Sequence, residues 1–128
     1  MILDTTVLVD LQRELRRNEP GRATALLERF GDERVSIAFV TWMEFAEGFA
    51  DDRREDCERF LSSFPVLWPD IEASWEASRI ARRLQADGRT IGDHDAWIAA
   101  LALRHRRVLA TRNDRHFSRV PGLAVRSY

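Results

Sequence analysis

A chain of 128 residues that is 45% hydrophobic, with four Trp and seven Phe, can bury one sizeable core, and residues 1–128 read as a single domain. One cysteine, Cys57, excludes an intrachain disulfide and makes a reducing, cytoplasmic location the expectation; no secretory leader pattern opens the chain, and no run nears the ~20 apolar residues that span a membrane. The net charge is -1, and every one of the 20 Lys+Arg positions is Arg, which excludes P-loop nucleotide sites and Schiff-base enzymes because both need a lysine.

Ile2 and Leu3 predict a short apolar strand ending at Asp4, with Thr5 and Thr6 leading into a helix through Val7 to Leu11. Ala23, Leu26, Leu27 and Phe30 recur with the helical period, and Gly31 supplies a stop. Val35, Ile37 and Phe39 alternate as in a strand, after which Thr41 opens a helix striped by Trp42, Phe45, Ala46 and Phe49. Charged residues dominate from Asp51 to Arg59, and with Phe60, Leu61 and Phe64 they predict an exposed helix with one buried edge, ended by Pro65. "VLWP" is a short strand, and Asp70 caps a long helix that buries Ala73, Ala77, Ile80, Ala81 and Leu84 and closes at Gly88. Asp93 is the cap candidate for the apolar helix of "WIAALAL"; Val108–Thr111 and the "LAV" near the end complete the strands. Strands alternate with helices throughout, which predicts a three-layer α/β/α fold on a mainly parallel central sheet.

Open parallel sheets bind ligands beyond the carboxyl ends of their strands. Asp4 sits at such an end, Glu44 follows the second strand, Asp95 starts the helix leading into "VLAT", and Asp114 is the first acid after it. Singly, each has a plainer role: Asp4 as a helix cap, Glu44 as partner of Thr41 in a capping box, Asp93 or Asp95 at a positive helix end, Asp114 as a surface residue. Together they would repel one another unless a cation neutralised them, and carboxylates are what a hard divalent ion selects. His94, His105 and His116 recur at intervals of 11, but the strand at Val108–Thr111 breaks that period and only Cys57 is available as a thiolate, so a histidine metal site is set aside and His94 is read as a bystander. Residues 104–126 hold seven Arg against one acid, leaving thirteen Arg against twenty acids in residues 1–103. Arginine clusters suit phosphate, although a solvated basic face carries the same composition.

Four segments resemble the PIN-domain ribonucleases, and specifically the VapC-type toxins of bacterial toxin–antitoxin pairs. They are "ILDTTVLVDL", "SIAFVTWMEFAEG", "IGDHDAWIAALAL" and "VLATRNDRHFSRVPGLAV", in order and nearly end to end. The resemblance implies a metal-dependent endoribonuclease with Asp4, Glu44 and Asp95 as the ligands of Mg2+ or Mn2+, and with tRNA, rRNA or mRNA as substrate. In relatives the closing acid commonly stands where Asn113 does here, so Asp114, Asn113 and Asp93 are all open as the residue that completes the set. Thr6 replaces the usual Asn or Ser, which puts one hydrogen bond around the first aspartate in question. The resemblance further implies a homodimer inhibited by a cognate antitoxin. Leu26, Leu27, Phe30 and the Phe45/Phe49 edge could serve such contacts, with burial in the protein's own core the favoured reading. Arg112, Arg115 and Arg119 are candidates to hold the RNA backbone. The alternative class is a non-catalytic PIN-like module that only binds RNA or a partner. A phosphatase with Asp4 as nucleophile fits worse, since it would want an Asp where Thr6 stands and a lysine.

Overall fold

The computed structural model describes residues 1–30 and 34–128; the stop expected at Gly31 lies outside the described residues. Five strands form one sheet: β1 (Ile2–Leu3), β2 (Ser36–Ala38), β3 (Val66–Leu67), β4 (Leu109–Ala110) and β5 (Val125–Arg126). Their order is β3-β2-β1-β4-β5, and every pairing is parallel. Among the described residues seven helices connect them: α1 (Thr5–Arg17), α2 (Arg22–Phe30), α3 (Phe39–Ala46), α4 (Arg54–Leu61), α5 (Ile71–Ala86), α6 (Asp93–Arg104) and α7 (Asp114–Phe117), with a 3-10 turn at Asp51–Arg53.

Successive strand residues face opposite sides of a sheet, and here that alternation builds the two cores. Ile2, Ala38 and Leu109 face a core with Ala73, Ile80 and Leu84 of α5 and the buried run from Ile98 to Ala102 of α6. Leu3, Ile37 and Ala110 face the other way, against Val7, Leu8 and Leu11 of α1, Leu26 of α2, Phe45 of α3 and Cys57 and Leu61 of α4. Both faces of the sheet are covered, so the fold is three-layered α/β/α. The early-helix apolar residues accordingly belong to the protein's own core, Leu26 and Phe45 being fully buried.

Several boundaries differ from the sequence expectation. Helix α1 runs on to Arg17, because its C-terminal half, though largely exposed, ends in basic residues and a left-handed cap at Asn18. Helix α3 begins at Phe39, not Thr41: Phe39 is pinned between Trp68 (5.8 Å) and Trp97 (5.6 Å), so the helix starts against an aromatic cluster rather than at a side-chain cap. Thr41 is therefore inside the helix with its hydroxyl buried, and the Thr41–Glu44 capping box does not form. Asp70 does cap α5, accepting from the Ala73 amide at 2.8 Å, whereas Ala81 faces solvent instead of the core. Gly92, not Asp93, occupies the cap position of α6, with Asp93 the exposed first helical residue.

Among the described residues no helix is long and apolar enough to cross a membrane. One surface is unusually apolar: Trp68, Ile71 and Trp75 are 71%, 80% and 60% exposed at the start of α5.

Candidate active site

The chain leaves β1 in one direction to make β2 and β3, then crosses to the opposite side for β4, so the topological switch point lies between β1 and β4. Ligand sites of open α/β sheets form at this place, beyond the strand ends. Asp4 stands there, its backbone amide still bonded to the Ala110 carbonyl at 3.0 Å. Its carboxylate is buried and fully engaged: Oδ1 accepts from the Thr5 amide at 2.8 Å, and Oδ2 from the hydroxyls of Thr6 at 2.9 Å and Thr111 at 2.7 Å. Asp4 is thus both the cap of α1 and a carboxylate of the cleft. Thr6 makes the hydrogen bond that its departure from Asn or Ser put in question.

Glu44 projects from the middle of α3, free of any cap role. Its Oε2 accepts from the Thr5 hydroxyl, and its Oε1 lies 2.9 Å from His94 Nδ1. Asp95, in the first turn of α6, sits 2.7 Å from His116 Nε2 through its Oδ2. Burial pushes the Asp95 carboxyl above its ordinary pKa; the adjoining His116 pulls it back, and the negative charges of Asp4 and Glu44 push it up again. The effect of Asp4 and Glu44 on Asp95 puts three acids, brought from the end of β1, from α3 and from α6, in one electrostatic neighbourhood.

Asp114 opens α7 with an exposed side chain, and Asn113 before it is exposed as well. Neither is tied to the other three acids by a contact among the described residues. The histidines are where spacing misled: His94 and His116 both reach site carboxylates, while His105 lies at the far end of α6. Two signals pointed to this, the place of His94 between Asp93 and Asp95 and that of His116 just beyond the β4 end. The basic segment is also busier than composition implies. Arg104 binds Asp70 (2.9 Å), Arg107 donates to the Ser36 hydroxyl (2.6 Å), Arg119 donates to the Thr90 carbonyl (3.3 Å), and Arg126 lies over the Phe30 ring (3.7 Å). Arg115 is left exposed on α7, and Arg112 pairs through Nε with Asp10 at 3.1 Å.

Three carboxylates around one cleft, with Asp4 and Glu44 both raising the proton affinity of Asp95, are the donor chemistry of a hard divalent cation. In the conformation seen, threonines and histidines occupy those oxygens, and among the described residues no three such side chains close around a single point.

Comparison with known proteins agrees with this geometry. A family model described as PIN domain matches residues 1–123. Ribonuclease VapC1 of Methanocaldococcus jannaschii is 30% identical over 129 residues, 100% of this chain and 86% of that one. The tRNA(fMet)-specific endonuclease VapC of Salmonella typhimurium is 32% identical over 119 residues, 88% of each chain. The solved structure of VapBC-1 from nontypeable Haemophilus influenzae matches with a TM-score of 0.82 at 27% identity, covering 98% of this chain and 96% of that one. The chain therefore belongs to the PIN domain family, and its relatives place it among the VapC-type members.

Proposed function

We propose that this chain is an endoribonuclease, the toxin of a toxin–antitoxin pair, that hydrolyses RNA phosphodiester bonds with Mg2+ or Mn2+ held by Asp4, Glu44 and Asp95. The observation that carries the reading is the convergence of these three acids at the β1/β4 switch point, close enough that Asp4 and Glu44 act on the Asp95 carboxyl. The names of the relatives, ribonuclease and tRNA(fMet)-specific endonuclease, support RNA as the substrate class. What such an ion supplies when bound is positive charge at the scissile phosphate and a more acidic water.

The chain's own residues do the rest. Thr5, Thr6 and Thr111 fix the Asp4 carboxylate so that it needs no reorganisation. Thr5 also holds Glu44 beside it. His94 and His116 stand against the remaining oxygens of Glu44 and Asp95 and orient them. Arg115, exposed on α7 next to the site, offers a contact for backbone phosphates. Asp114 is the acid on the same short helix that completes the proposed catalytic set from the rim.

Two protein partners belong to this reading. The match to VapBC-1 supports an antitoxin, and the carboxylates of the cleft offer an arginine of such a partner a charged contact. The other is a second copy of the chain on the Trp68, Ile71 and Trp75 face. Along α5, Glu72 and Glu76 occupy the first half and Arg79, Arg82 and Arg83 the second, so two α5 helices packed antiparallel about a two-fold axis set acids against arginines.

The test is cleavage of single-stranded RNA and of tRNA by the purified chain with Mg2+ or Mn2+, beside Asp95→Asn, with ion binding followed by calorimetry. Cleavage by the parent chain is expected to fall at least a hundredfold in the variant, together with weaker ion binding. Equal cleavage by both proteins would refute the assignment of Asp95. Ion and RNA binding without cleavage of either substrate would favour the non-catalytic module.

A further inference from the structure

Asp10 lies on α1 one and a half turns beyond the Asp4 cap, and it is no ordinary surface acid: its side chain is only 14% exposed. Its Oδ2 meets Arg112 Nε at 3.1 Å and accepts from the Tyr128 hydroxyl at 3.1 Å, while its Oδ1 is 3.6 Å from Arg13 Nη1. Arg112 is the first residue past Thr111, and its backbone amide donates to the Thr6 hydroxyl at 3.2 Å, which donates in turn to Asp4. The Arg112 backbone is thus two hydrogen bonds from the buried carboxylate of the site, and its side chain, 47% exposed, stands at the rim.

Asp10 holds the Arg112 Nε on the α1 side of the cleft. Because a guanidinium is a rigid planar fork, fixing Nε leaves the Nη donors of this half-exposed side chain for a phosphate to engage. Tyr128 contributes a neutral donor. Burial pushes its phenol well above the ordinary value, with the Asp10 charge adding to the effect, so it stays protonated and bonded to Asp10 at any physiological pH.

We propose that Asp10, steadied by Tyr128, is a positioning residue for RNA binding: it sets the Arg112 guanidinium at the rim of the Asp4 cleft to receive a backbone phosphate of the RNA. This rests on the ribonuclease reading for the identity of the ligand, but its test does not need catalysis. The affinity of the full chain for a fluorescein-labelled single-stranded RNA is measured by anisotropy in EDTA, with cleavage kinetics in Mn2+ run in parallel. Arg112→Ala is expected to weaken binding about tenfold and to flatten the salt dependence by the equivalent of about one phosphate contact. Asp10→Asn is expected to weaken it about fivefold, and the double variant to bind no worse than Arg112→Ala alone, since both act through one group. In the kinetics the loss appears in KM with kcat within about twofold.

A merely structural Asp10 would lower the melting temperature and act additively with Arg112→Ala; that result, or an unchanged Kd in Asp10→Asn, overturns the proposal. Should Asp10→Asn fail to fold, Tyr128→Phe tests the same arm: a weaker Kd in the parent chain and none in the Arg112→Ala background is expected, and an equal effect in both overturns it. Absent cleavage with these binding effects intact would count against the ribonuclease reading and leave the role of Asp10 standing.

Discussion

Thr111 is the residue on which the site's geometry depends most directly, and replacing it by valine isolates the effect of one hydroxyl. The side chain is 0% exposed; Oγ1 donates to Asp4 Oδ2 at 2.7 Å and accepts from the Asn113 amide at 2.9 Å. Valine has nearly the same volume, so no cavity contributes. What is lost is a hydrogen bond to a charged group, typically about 1.5–3 kcal/mol, and the acceptor of a partly buried amide, about 1 kcal/mol more. Thr111→Val should therefore destabilise the chain by about 2.5–4 kcal/mol, lowering the melting temperature by about 10–16 °C for a domain of this size. Urea denaturation with an unchanged m-value measures it. Thr6→Val is the internal comparison: Thr6 bonds the same Oδ2 but is partly open to water, which replaces the lost donor, so about 1 kcal/mol is expected. A loss under about 0.5 kcal/mol for Thr111→Val, or a larger one for Thr6→Val, would refute the claim that the β4 end fixes Asp4.

Two further outcomes follow from other parts of the fold. The backbone amide of Ala73 and then the Arg104 guanidinium hold the Asp70 carboxyl below its ordinary pKa; the unfolded chain therefore binds the extra proton first, and this contribution to stability is complete above the unfolded value near 4 and lost as pH falls through the folded one. Asp70→Asn, which retains a capping side chain, should flatten acid unfolding below about pH 4, and an unchanged acid slope in circular dichroism would count against it. On the exposed face of α5, Trp75→Glu should convert a dimer into a monomer in sedimentation equilibrium, whereas a dimeric variant would place the two-fold interface elsewhere.

How much of this could be read from residues alone depends on the range of the interaction. The helical periods of α2 and α5 and the short apolar start of β1 are local, and they placed those elements and set Asp4 at a strand end. The start of α3 was missed because a local pattern, Thr41 three residues before Glu44, competed with packing from two distant tryptophans, and packing prevailed. His116 meets Asp95 between α7 and α6, and Thr111 meets Asp4 between neighbouring strand ends; the place of His116 just beyond β4 was the one local hint, and neither residue's neighbourhood along the chain names its partner. The arginine-rich segment misled for the opposite reason. Composition counts charges but not contacts: Arg104 pairs with Asp70, while Arg107 and Arg119 keep their charge but spend donors on Ser36 and Thr90 within the fold.

The acids of the cleft are not equivalent, and the difference has a physical origin. Asp4 is buried and bonded only to hydroxyls and an amide at the start of α1 and just past β4, groups fixed by the pairing of β1 with β4 at the centre of the sheet. Glu44 and Asp95 are partly exposed and pair with imidazoles borne on the first turn of α6 and on the four-residue helix α7. Their partners are thus side chains that can rotate, while the position of Asp95 itself is held by the fully buried run from Ile98 to Ala102 behind it. A divalent cation held by this set would find one carboxylate fixed in advance and two with adjustable partners, and its charge would offset the repulsion that Asp4 and Glu44 exert on Asp95.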